Sequence, residues 1–180
     1  MSKSIPKNKT IEEILADLDE NNPEYVTDWI IIELDSDPKS SSRARGTVVN
    51  GKQLFYEKKE DKRYKHLLTE LLDIEFSDIL EDGELIEGPI VLNMNLFKIP
   101  PKYIWEDERL LYLISKDILR PTTKPDFDNY GKIVCDVMNK KFIKDDSQII
   151  QGNIGKYFIL PDESPRIEIQ LTFRLKKIVG

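Results

Sequence analysis

Cysteine and histidine are nearly absent from this chain. A single cysteine, Cys135, excludes an intrachain disulfide and any zinc site built on several thiolates. A single histidine, His66, leaves too few ligands for a histidine-based metal centre and argues against a Ser-His-Asp triad. No apolar run approaches the roughly 20 residues needed to cross a bilayer, and the opening MSKSIPKNKT lacks the apolar core of a signal peptide. The expectation is a soluble cytoplasmic protein with no membrane partner. A surplus of positive charge is missing too: 27 Lys and Arg face 33 Asp and Glu, a formal net charge of −6. That total excludes a nucleic-acid binder working through overall charge, but not one that segregates its cations.

Segregation is what the chain shows. Residues 1–37 carry a net −7, residues 38–66 a net +6, and residues 67–97 a net −8 with no Lys or Arg at all. The 180 residues suit one domain with a continuous core, and 39% hydrophobic against 33% charged residues is polar for a globular protein but not the profile of a disordered chain.

Residues 1–25 read as an extension with one short helix. Thr10-Ile11-Glu12-Glu13 is a capping box, and Ile11, Ile14, Leu15 and Leu18 follow at helical spacing before Asn21-Asn22-Pro23 stops them. Either a partner-binding arm or a helix packed on the domain fits this pattern. The β-branched run Trp29 to Leu34 predicts a buried central strand. After it, residues 35–45 form a loop carrying Lys39, Arg43, Arg45 and several serines, which suits either phosphate binding or a solvated connection. Asn50-Gly51 between two short β-prone runs predicts a hairpin. From Glu57 the period becomes helical: Tyr64, Leu67, Leu68, Leu71 and Leu72 make an apolar face, with Lys58, Lys59, Lys62, Arg63 and Lys65 mainly elsewhere. His66 beside that face reads as a partly buried structural histidine, and the acidic stretch through Glu87 as a solvated connection or short helical turn.

Residues 89–97 predict a second core strand ended by Pro100-Pro101, and residues 104–116 a helix whose Trp105 and Tyr112 suit either core packing or base stacking. Tyr130, Ile133, Val134, Val137 and Met138 recur at helical spacing, predicting a helix from near Asn129 with Cys135 as an inert packing residue. Strands over residues 148–158 and 166–173 close the chain. The fold class is α+β, a mixed sheet packed with helices.

Chemistry concentrates in Lys124-Pro125-Asp126-Phe127-Asp128-Asn129-Tyr130-Gly131-Lys132 and in Lys144-Asp145-Asp146-Ser147-Gln148. Pro125 disfavours helix just before it, so Asp126 and Asp128 are expected to project together from an extended segment while Phe127 turns into the core. Lys132 lies one turn into the following helix, on a face that Asp136 continues. Hard carboxylate oxygens suit Mg²⁺ or Mn²⁺, and Asp145 and Asp146 complete the set if they return beside the helix start. Plain helix capping explains an Asp-x-Asp-Asn run as well.

The double motif, Lys-Pro-Asp-Phe-Asp-Asn-x-x-Lys followed after a helix by Lys-Asp-Asp-Ser-Gln, resembles the RusA family of Holliday junction resolvases, and the order of strand, basic loop and Tyr-containing helix extends the likeness over about Val26 to Ile178. The resemblance implies an endonuclease domain over residues 26–180. It implies metal-site acids at Asp126, Asp128 and Asp146, a supporting acid at Asp145, a catalytic lysine at Lys132, and Mg²⁺ or Mn²⁺ as cofactor. It further implies a homodimer that nicks four-way DNA junctions in recombination and repair. Lys39, Arg43, Arg45, Lys58, Lys59, Lys62 and Arg63 are the expected phosphate contacts. Nucleases for flaps or forks, and a non-catalytic DNA-binding module, are the alternatives. The extension and the acidic stretch over 70–87 are additional to a minimal member.

Overall fold

The computed structural model describes residues 10, 12–13, 25–40, 45–49, 52–56 and 58–174. The strands are β1 (Tyr25–Glu33), β2 (Arg45–Val49), β3 (Lys52–Tyr56), β4 (Ile90–Lys98), β5 (Ile149–Phe158) and β6 (Arg166–Arg174). The helices are α1 (Lys59–Phe76), α2 (Lys102–Trp105), α3 (Glu108–Ser115) and α4 (Phe127–Met138), with a 3₁₀ turn at Asp146–Gln148.

Four strands form a mixed sheet in the order β1-β6-β4-β5, in which only the β4–β5 pair is parallel. Period-two alternation divides its faces. Ile30 and Ile32, Leu92, Met94 and Leu96, and Ile167, Ile169 and Leu171 are buried on the inner face. There they meet Tyr64, Leu68, Leu72 and Phe76 of α1 and Tyr130, Ile133, Val134, Val137 and Met138 of α4 in one apolar cluster. Every fourth or third residue of each helix is spent on that face, which leaves the rest of both helices to solvent.

The two helices run side by side in the same direction. Tyr64 and Tyr130, early in each, are close enough for their hydroxyls to interact electrostatically. Lys65 donates to Asp136 at 2.8 Å, and Phe76, at the end of α1, stacks on Phe142 just beyond α4, with ring centroids 4.3 Å apart. Both N-termini, the positive ends of the helix dipoles, therefore lie at one end of the molecule.

Several expectations are corrected. Among the described residues β1 is an edge strand, not a central one, paired to β6 alone, and Trp29 and Ile31 are exposed on its outer face. α1 runs on through Glu70, Asp73 and Glu75 to Phe76, so the first part of the acidic stretch is helical; the Phe76–Phe142 stack holds that last turn. Leu67 and His66 are exposed rather than part of the apolar face, and His66 faces Glu70 at 3.6 Å. The helix expected over 104–116 is two, broken where Asp107 accepts from the Arg109 amide as the cap of α3. The β2–β3 hairpin, β4, β5, β6 and the Thr10–Glu13 capping box match the sequence. The rest of the N-terminal helix, Arg43 and the Asn50-Gly51 turn lie outside the described residues.

Candidate active site

Asp126 occupies the N-cap position of α4 with extended backbone (φ −67°, ψ 149°). An N-cap carboxylate ordinarily accepts from the second or third amide of its helix, yet the Asp126 side chain makes no such bond. Only its carbonyl engages the helix, accepting from the Asn129 amide at 3.2 Å. Capping therefore does not account for this carboxylate. Asp128 sits in the first turn, where the helix dipole favours negative charge. Both acids are exposed.

The local geometry differs from an extended Asp-Phe-Asp in one respect. The helix begins at Phe127, two residues earlier than expected, so side chains step around an axis instead of alternating. Phe127 consequently faces solvent, 60% exposed, and is not the core anchor; Tyr130, three residues on and 1% exposed, is. Burial pushes the Tyr130 hydroxyl up to about 12, with the nearby Asp37 and Tyr64 adding to the effect.

Asp128, Lys132 and Cys135 fall at i, i+4 and i+7 and share one face of α4. Lys132 is exposed and Cys135 half-buried. Asp136, four residues beyond Lys132, is exposed and accepts from Lys65 of α1 at 2.8 Å.

The 3₁₀ turn Asp146–Gln148 packs against α4. Asp146 lies near enough to Cys135 that its charge, with that of Asp136, adds to the burial that pushes the Cys135 thiol up to about 11. Its neighbour Asp145 is engaged quite differently. Asp145 caps the 3₁₀ turn by accepting from the Ser147 amide at 3.0 Å, and the Gln148 side chain returns an acceptor to the Asp145 amide at 2.8 Å, a capping box. The Ser147 hydroxyl, and after it the Ser147 amide, hold the Asp145 carboxyl below the ordinary carboxylate value. Gln148 also donates to the carbonyls of Ile86 and Gly88, tying the turn to the lead-in of β4. Sequence reasoning missed this lock; its signal was the Asp145-x-x-Gln148 spacing.

Cations gather at the same end as the start of α4. Lys59, Lys62 and Arg63 are exposed on the first turns of α1, preceded by Lys58. Lys39 lies 5.8 Å from the centre of the Tyr64 ring, which brings the basic loop to the start of α1. Asp37 seats that loop on the end of β4 by accepting from the Ile99 amide at 2.7 Å, with Lys98 at 3.9 Å. Arg45 contributes its backbone to β2.

Asp126, Asp128 and Asp146 therefore reach one helix from its two ends. Among the described residues, no three His, Cys, Asp or Glu side chains stand close enough to share a metal ion. The donor set is nonetheless hard carboxylate oxygen, the type Mg²⁺ and Mn²⁺ take, and these ions commonly need only one or two protein carboxylates with water and substrate phosphate completing the shell. The residue types fit such an ion.

Comparison with known proteins agrees with the motif. Residues 35–172 match the family model for endodeoxyribonuclease RusA, a span that includes β4, α4 and the 3₁₀ turn. The chain is also similar to the uncharacterized protein YqaN of Bacillus subtilis (strain 168), 30% identical over 135 residues, which is 75% of this chain and 89% of that protein.

Proposed function

Because the chain belongs to the RusA family of endodeoxyribonucleases, we propose that it resolves four-way DNA junctions by metal-dependent paired nicks, in recombination and repair. The observation that carries this reading is an N-cap carboxylate, Asp126, with no capping bond, beside Asp128 at the start of α4 and level with the cationic start of α1.

Asp126 and Asp128, with Asp146 from the far end of α4, are the carboxylates that would hold Mg²⁺ or Mn²⁺, one or two of them to an ion with water and substrate phosphate completing its shell, and Asp145 would position Asp146 through the capped turn. Such an ion, when bound, orients a water and neutralises charge on the phosphodiester. Lys132, on the face of Asp128, offers its ammonium to the charge that develops on the phosphoryl oxygens. Lys39, Lys58, Lys59, Lys62 and Arg63, with Arg43 and Arg45 of the same basic segment, hold DNA phosphates and carry no sequence information. Two symmetric nicks require two copies of the site, hence a homodimer.

Incubating the purified protein with a synthetic four-way junction and Mg²⁺ or Mn²⁺ tests the reading. Paired nicks by the wild-type chain, lost in Asp128→Asn, are expected. Metal-independent cleavage, or full activity in that variant, contradicts it. Preference for flaps or forks over the junction shifts the substrate, and binding without nicking under either metal leaves a DNA-binding module.

A further inference from the structure

The stretch that delivers the carboxylate pair is poorly held by its own backbone. Among the described residues, no amide from Arg120 to Asp128 donates a backbone hydrogen bond, between Leu119, which donates to the Leu113 carbonyl at 3.2 Å, and Asn129. Pro121 and Pro125 have no amide to give. Side chains must fix this segment, and two consecutive residues of the edge strand β5 reach it.

Lys156 is on the inner face, in register with Leu96, which is itself opposite Ile167; both aliphatics are essentially fully buried. An ammonium at the end of such a row needs acceptors. It finds two carbonyls, donating to Thr123 at 3.1 Å and to Pro125, the residue before Asp126, at 3.3 Å. Tyr157 points to the opposite face. Its ring stacks on Phe97, with centroids 5.0 Å apart, and carries the Arg120 guanidinium 4.3 Å from its centre. Arg166 covers the far side of Phe97 at 3.6 Å, and Asp117 engages Arg120 from its own loop. Gly155 makes room for this stack: a Cβ there would fall 2.4 Å from Tyr157 Cε2 and 2.8 Å from Asn95 Oδ1.

We infer that Lys156 and Tyr157 are positioning residues for the active site, a two-sided clamp on the segment that ends in Asp126, with Lys156 fixing the carbonyls at Thr123 and Pro125 and Tyr157 holding Arg120. The cation–π and charge-assisted bonds act on opposite faces of β5, so the segment can neither lift away from nor slide across the strand. Lys156 makes no contact with reacting atoms in this role. Its effect is to keep the N-cap residue, and with it Asp128, at a constant place relative to Lys132.

The geometric part of this inference is independent of the nuclease reading, while its effect on turnover rests on that reading. Hydrogen exchange on the full chain tests the first part. In Lys156→Met, the hydrogen-bonded amides that bound the segment, Ile118, Leu119 and those of α4 from Asn129 to Lys132, are expected to exchange about tenfold faster, with β4 and β6 unchanged, and Lys156→Arg is expected to recover most of the protection. Gly155→Ala, which displaces the Tyr157 ring, should loosen the same window. If Lys156→Met exchanges fast throughout, the milder Lys156→Gln decides on the same window. Unchanged exchange at Ile118, Leu119 and the amides of α4 from Asn129 to Lys132 overturns the clamp. On a four-way junction, Lys156→Met is expected to lower kcat about 10–100-fold while the junction Kd stays within about twofold. Loss of binding with kcat intact would make Lys156 a DNA contact and overturn the clamp. Absence of nicking by the wild-type chain removes the nuclease reading and leaves the exchange result to decide the clamp alone.

Discussion

The two acidic segments that meet α4 use neighbouring carboxylates in opposite ways. In the 3₁₀ turn, Asp145 is consumed by structure: it accepts from Ser147, shares a capping box with Gln148, and its carboxyl is held down accordingly. At the start of α4, Asp126 occupies the equivalent cap position and its side chain makes no capping bond. The lesson is that a cap position does not establish a capping role; where the side-chain oxygens go does. By that criterion Asp145 is committed to its turn and the Asp126 side chain is not committed to capping, the difference on which the proposed roles of Asp126, Asp128 and Asp146 as ligands and of Asp145 as support rest.

The comparison breaks most visibly through the free acids. Asp128→Asn should lower junction nicking by at least about 10²-fold with the melting temperature unchanged, since the side chain is exposed and uncommitted to packing. Nicking and melting measured together check this. Lys132→Met should cost about 10²-fold, no more than Asp128→Asn, again without loss of stability. On the buried face of the same helix the pattern reverses: Met138→Ala, at a site with 0% exposure, should cost about 2–5 kcal/mol in denaturant unfolding.

A smaller effect follows from pH. Burial pushes the Tyr64 and Tyr130 hydroxyls from 10.0 up to about 12, so the folded state keeps two protons that the unfolded chain gives up. Their contribution to stability is whole below pH 10 and falls as pH rises toward 12. Unfolding midpoints should drop across that window in the wild-type chain and drop less in Tyr64→Phe. The Asp145 cap behaves in the opposite sense, present above the ordinary carboxylate range and lost as acid protonates it. Smallest of all is the effect of neutralising Lys59, Lys62 and Arg63 together: junction binding weakens, and the salt slope of log K flattens by up to about three, with kcat at saturation unaltered.

How much of this was readable in advance follows from which contacts are local. The period of Tyr130, Ile133, Val134, Val137 and Met138 gave α4 its buried face, and the alternation of residues 166–173 gave β6. Strand order is decided by distant pairing, so the Trp29-Ile30-Ile31-Ile32 run, read as a central strand, occupies an edge where every second residue faces out. Phe127 faces solvent and not the core because a helix start two residues earlier than its sequence suggests exchanges a period of two for one of 3.6. The last turn of α1 carries an acidic sequence yet forms, because Phe76 finds Phe142 across the chain. For the site, residue types were legible, and so was the specificity of the two motifs taken together. The capping bonds that occupy Asp145, and the grip of Lys156 on two carbonyls, were not, since both depend on where a side chain's partners stand in space.

Asp145 and Asp146 are adjacent, equally charged and both exposed, and therefore form the most direct test. Junction nicking by Asp145→Asn and Asp146→Asn, measured side by side under saturating Mg²⁺, should separate them. Asp146→Asn is expected to lose at least about 10²-fold in kcat while Asp145→Asn loses no more than about tenfold, with a lowered melting temperature. Equal losses in the two variants, or a greater loss in Asp145→Asn, would contradict that expectation.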